Sequence, residues 1–185
     1  MGDHWVMENL MGSLLVANGS LLDPNFRRTV VVVTEHSDEG AVGLILNRPA
    51  QVTVAEATPL LASLVEPGSP IFVGGPVQPE AAVVLADFER FGDSGRIVVG
   101  SIGLLATYSE DAEPAIKRAR VFAGYAGWGP GQLEAETDED AWIIEDAYPD
   151  DIFTAEPNRL WSSVLARKGG SYKLLALMPE DPSTN

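Results

Sequence analysis

The chain has 185 residues, 45% apolar and 21% charged, with 27 acids against 12 bases for a net charge of −15. That length suits one domain with a buried core, and the composition excludes wholesale disorder. The charge disfavours DNA, whose binding rests on Lys and Arg displacing counterions, and the lack of cysteine removes disulfides, thiolate metal sites and a thiol nucleophile together.

Residues 1–12 read as an N-terminal extension. Asp3 and Glu8 carry the wrong sign for a secretory signal, so none is expected. The apolar runs, Val30–Val33 among them, are too short to cross a bilayer, and a soluble cytoplasmic protein is expected. Leu14–Ala17 is predicted as the first strand, ending in a loop at Asn18-Gly19-Ser20. Asp23-Pro24-Asn25 has the composition of a turn, since proline presets φ and Asp bonds to nearby backbone. The β-branched run Thr29–Glu35 and the segment Ala41–Leu46 predict an antiparallel hairpin around Ser37-Asp38-Glu39-Gly40. Both strands are apolar on both faces, which predicts a central, covered position.

Thr53-Val54-Ala55-Glu56 matches a capping box, with Pro59 forcing a break before a second short segment towards Leu64. Ile71–Val73, Ala82–Leu85 and Ile97–Val99 are predicted strands, with a polar loop at Gly92-Asp93-Ser94-Gly95. Ala112–Arg120 reads as a helix with cations at its C-terminal end. Val121–Ala126 and Trp142–Glu145 are predicted strands. Pro157–Lys168 is the cleanest helix, with Leu160, Trp161, Val164 and Leu165 on one face and Gly169-Gly170 as its stop signal. Lys173–Leu177 is predicted as a final strand, and 179–185 as a loose tail. Many strands and a few helices in mixed order predict one α+β domain over 13–178.

Four dense segments resemble the AlgH/YqgE family. They are LLVANGSLLDPNFRRTVVVVTEHSDEGAVGLILNRP over 14–49; Phe72-Val73-Gly74-Gly75-Pro76-Val77; Gly124-Tyr125-Ala126-Gly127-Trp128 with Gly131-Gln132-Leu133-Glu134 and then Trp142; and Asp151-Ile152-Phe153 leading to Trp161. They stand in family order across roughly residues 13 to 178. The sequence departs from the family at Asn18-Gly19, where proline is frequent, and in the acidic stretch after Gln132. The resemblance implies a mostly antiparallel, bifurcated sheet curled into a pseudo-barrel with flanking helices. It also carries the label of a transcriptional regulator, which no DNA-binding motif here supports.

The chemistry-bearing residues are few. His36 is the only histidine outside the N-terminal extension. It reads either as a general base, since imidazole titrates near neutrality, or as a side chain that bonds loop backbone and holds the hairpin end; the second is preferred. Regular pairing would point Glu35 and His36 to opposite faces unless a bulge intervened. One internal His without Cys leaves only carboxylates for a metal, so no metal and no cofactor are expected. Neither Gly92-Asp93-Ser94-Gly95 nor Gly100-Ser101-Ile102-Gly103 spells a G-x-S-x-G elbow. The glycines around Tyr125 and Trp128 do not spell a nucleotide loop either, and close backbone packing is the preferred reading.

Arg28 and Arg48 suit a carboxylate or phosphate, or an internal salt bridge, and the salt bridge is preferred. The nine acids between Gln132 and Asp151 are read as a solvated face. Motif density groups Arg28, Glu35, His36, Asn47, Arg48, Gly74, Gly75, Tyr125, Trp128 and Gln132 as one candidate ligand or interaction site. The expected function is a non-enzymatic regulatory or interaction protein whose partner is another protein. Small-molecule binding or modest catalysis near His36 and Arg48 is the alternative, and direct nucleic-acid binding ranks last.

Overall fold

The computed structural model describes residues 9–90, 94–105 and 115–180. Its core is a ten-stranded, mostly antiparallel sheet. The strands are β1 (Ser13–Ala17), β2 (Val30–Ser37), β3 (Gly40–Ile45), β4 (Pro49–Thr53), β5 (Pro70–Val73), β6 (Val77–Phe88), β7 (Ser94–Val99), β8 (Ile102–Leu105), β9 (Ile116–Trp128) and β10 (Trp142–Asp146). The helices are α1 (Val54–Ala57), α2 (Gln132–Asp138), α3 (Pro149–Ile152), α4 (Leu160–Lys168) and α5 (Tyr172–Leu175), with 3₁₀ turns at Pro59–Leu64 and Pro157–Arg159. The main path runs β10-β1-β2-β3-β9-β6-β8-β7 and does not close. It is a single-domain α+β fold.

The sheet branches at β9. One edge of β9 pairs antiparallel with β6, while its other edge is shared between β3, at Ala126–Trp128, and β5, in parallel at Phe122–Ala123. Strands β1 and β2 lie inside the sheet with both faces covered, as their unbroken apolar runs require. Leu14, Val16, Val30 and Val32 pack with Trp161, Val164 and Leu165 of α4. Their alternate neighbours Leu15, Ala17, Val31 and Val33 pack on the opposite face with Trp128, Leu133 and Trp142. Trp161 is pinned by its indole N–H, which donates to the Ala17 carbonyl at 2.8 Å. Thr53 caps α1 by accepting from the Glu56 amide, and Pro59 opens a separate turn.

Two predicted elements are corrected. Residues 116–120 of the expected helix Ala112–Arg120 belong to β9; residues 112–114 lie outside the described residues, as do 92 and 93 of the expected loop. Local propensity yields here to pairing with β6, which sets Leu85 against Arg120 and Asp87 against Arg118. Arg120 lies over the Phe72 ring and donates to the Ile152 and Thr154 carbonyls. Burial, and then neighbouring Arg118, pulls its guanidinium down to about 10, so it remains cationic at neutral pH. The expected strand Lys173–Leu177 is instead largely α5. Gly169 and Gly170, both at positive φ, turn the chain back. At the outer strand β10, the Ile144 and Asp146 carbonyls are already taken by Lys168 and Arg167, which blocks another strand there.

Candidate functional site

The ten candidate residues do not form one cluster. They lie in three places set by the hairpin β2–β3 and by β9. Arg28 precedes β2, and His36 lies near its far end, six residues beyond Val30 and about 20 Å from it at the usual strand rise.

His36 sits at the closed end of the hairpin. Strand β2 carries one extra residue between Val33 and Glu35, a bulge that shifts the register. Without it Glu35 would oppose Ala41 and face the core. With it His36 opposes Ala41, which belongs to the buried face, and Glu35 turns outward towards Arg96 at 3.6 Å. The His36 side chain is 2% exposed. Its Nδ1 accepts from the Leu10 amide at 2.9 Å, and its Nε2 donates to the Glu134 carboxylate of α2. This pair of bonds needs the neutral Nε2–H tautomer. The imidazole therefore ties the N-terminal approach, the hairpin and α2 together, and no free nitrogen faces solvent.

Trp128 and Gln132 belong to the same end. Glu136, on the next turn of α2, accepts from the indole N–H groups of Trp128 (3.1 Å) and Trp142 (3.0 Å) and from the Gln132 amide (2.9 Å). Phe26 packs on both indoles, with centroids 6.1 and 5.8 Å away. Two buried indole donors sharing one carboxylate make Glu136 a structural acceptor. Glu136→Ala is expected to cost about 2–3 kcal/mol, because it strands both N–H groups. Urea unfolding followed by tryptophan fluorescence measures this, with Asp138→Ala on the exposed side of α2 as the near-neutral control.

Arg28, Asn47 and Arg48 meet at the open end. Asn47 accepts from the Val30 amide and donates to the Arg28 carbonyl. Arg48 donates to the carbonyls of Pro24, Asn25 and Arg27, so the expected salt bridge is replaced by neutral acceptors. The loop thus organised turns through Arg28 at φ 56°, a left-handed conformation uncommon for a side chain of that size. Arg28 lies 4.1 Å over the Trp161 ring and donates to the Met178 carbonyl; Arg27 donates to that of Glu180. Burial lowers the pKa of both Arg28 and Arg48 from the ordinary arginine value, with Glu180 and Asp23 respectively opposing the shift. These side chains, with Asn158 and Trp161, line an open cleft of about 410 Å³.

Gly74, Gly75 and Tyr125 lie at the branch. Ala123 pairs with Val73 of β5 on one edge and Ala82 of β6 on the other, so the chain between β5 and β6 crosses the face of β9. The crossing is made backbone on backbone, and a Cβ on Gly75 would stand 2.1 Å from the Tyr125 carbonyl carbon. Among the described residues, no group of three or more His, Asp or Glu is placed to hold a metal. No described helix is long and apolar enough to cross a membrane.

A family model described as AlgH-like matches residues 14–173. The chain belongs to the AlgH-like family. A UPF0301 protein of Streptomyces coelicolor is 44% identical to it over 188 residues, 97% of each chain. The solution structure of the AlgH protein from Pseudomonas aeruginosa is similar at a TM-score of 0.70 and 30% identity, covering 97% of this chain and 98% of that one. A crystal structure of a Corynebacterium diphtheriae protein is similar at a TM-score of 0.81 and 25% identity, covering 92% and 93%. In this AlgH-like chain the matched span takes in the hairpin, both of its ends and the crossing over β9.

Proposed function

We propose that the protein acts by binding another protein and does not itself make or break bonds. The observation that carries this reading is the state of His36, whose two ring nitrogens are both committed to buried structural bonds. A general base needs a nitrogen within reach of substrate, and this one has none to offer. Binding, by contrast, has a surface to use. Leu174 and Leu177 are 73% and 79% exposed on and just after α5, and Leu22 and Met178 line a shallow depression beside Arg27 and Arg28. Apolar side chains next to a cationic cleft suit an amphipathic acidic segment of a partner. Any influence on transcription would then be indirect, since a chain of net charge −15 repels nucleic acid.

Cross-linking of the full chain in cell extract, read by mass spectrometry, tests this. A stoichiometric partner is expected, and its capture should fall at least tenfold in a Leu174→Asp, Leu177→Asp double variant that keeps the native melting temperature. No stoichiometric partner, or equal capture by that variant, overturns the reading. So does turnover of a defined compound that is lost in a folded His36 variant.

A further inference from the structure

We infer that the cleft of Arg27, Arg28 and Arg48 is an oxyanion-binding site, built for a ligand that carries phosphate or clustered carboxylates. This goes beyond protein binding and stands whether or not a protein partner exists. In a chain with 12 bases against 27 acids, three guanidinium groups line one open cleft of about 410 Å³. Among the described residues, no carboxylate makes an ion pair with any of the three, although Arg96, Arg118, Arg159 and Arg167 each have at least one. Glu180 also lines the cleft, and Glu180 and Asp23 favour the charged forms of Arg28 and Arg48 respectively, without pairing with them. The cleft therefore holds more positive than negative charge.

The acceptors that do reach these arginines are backbone carbonyls, which orient a guanidinium without neutralising it. Arg48 spends its fork on the loop carbonyls of Pro24, Asn25 and Arg27, and so fixes the platform. Arg27 and Arg28 each give one N–H to a carbonyl of the C-terminal segment, those of Glu180 and Met178. A guanidinium has five N–H groups, so most of the donors of Arg27 and Arg28 are left for a ligand. Trp161 backs the Arg28 plane and fixes its tilt, and the left-handed backbone at Arg28 is held by Asn47. Strain that the surroundings over-determine, at a charged residue in a cleft, is the usual mark of a preorganised site.

The test is titration of inorganic pyrophosphate and of citrate into the full chain, followed by calorimetry at fixed ionic strength, with sodium chloride as the control. Saturable one-to-one binding is expected with at least one of the two. Affinity should fall at least tenfold in Arg28→Gln and in Arg27→Gln, neither of which removes a bond that organises the loop. Both variants should retain the native melting temperature, whereas Arg48 is left intact because it holds three loop carbonyls. Absence of saturable binding of either anion overturns the inference, as does binding that both glutamine variants leave unchanged. An octaglutamate peptide distinguishes the sources. Its competition for the site assigns the pocket to the acidic side chains of a partner, and pyrophosphate binding that it does not disturb assigns the pocket to a free ligand.

Discussion

Replacing Gly75 with alanine is expected to cost more than about 4 kcal/mol, enough to leave little folded protein at 37 °C. The added Cβ would lie 2.1 Å from the Tyr125 carbonyl carbon, 2.2 Å from its oxygen and 2.3 Å from the Ala126 nitrogen. All three are backbone atoms of β9, so no rotamer change relieves the clash, and either the crossing chain or the branch strand must move. Moving the crossing chain breaks the pairings that flank it, Val73 with Ala123 and Val77 with Tyr125. Gly68→Ala sets the scale from the other side. Gly68 is at φ +84° with nothing within 4 Å of its added Cβ, so only the left-handed penalty of about 1–2 kcal/mol applies. Soluble yield and urea unfolding of the two variants measure the contrast. A Gly75→Ala protein within about 1 kcal/mol of the parent would show that the crossing is not as close as described.

That crossing also shows where the sequence was readable. Gly74-Gly75 and Gly124-Tyr125 stand out as separate motifs, and only the glycines around Tyr125 are read from the sequence as a place of close backbone approach. They are in fact two sides of one contact, since Gly124 at φ +72° would place a Cβ 2.6 Å from the Gly75 carbonyl oxygen. Fifty residues separate them, and no local pattern states which strand passes over which. The hairpin β2–β3 was legible because β-branched runs on both sides of a polar turn leave few alternatives. Ile116–Arg120 was not legible as strand, because its alternation is masked by three cations, and the partners of Arg118 and Arg120 lie on β6, the Phe72 and Phe153 rings and the carbonyls of Ile152 and Thr154.

The candidate residues follow the same division. Their chemical types were readable and their partners were not. The acids from Gln132 to Asp151 look like a solvated face, yet Glu134, Glu136 and Asp151 serve His36, the two indoles and Arg167. One signal could have found part of this. Trp128 and Trp142 sit among core-forming residues, and a buried indole N–H needs an acceptor, for which nearby carboxylates are the obvious source. Arg27 carried no signal of its own, because its role depends on where the C-terminal segment lies.

His36→Ala is expected to lower stability by about 2–4 kcal/mol, through a cavity and two stranded polar groups. The ring is almost fully enclosed, so its removal leaves the Leu10 amide without its acceptor and the Glu134 carboxylate without its donor. Two conservative replacements separate these contributions. Asparagine places an oxygen near the position of Nδ1 and can keep the Leu10 bond, whereas glutamine reaches further and can donate to Glu134. Each should recover part of the loss, and neither all of it, in equilibrium urea unfolding. Glu134→Gln should cost less than His36→Ala, since its amide oxygen still accepts from Nε2 and only the charge is lost. If instead His36→Ala unfolds within about 0.5 kcal/mol of the parent, the imidazole is not holding the hairpin end. Its two bonds would then be dispensable, and a role for its nitrogens in chemistry would return to consideration.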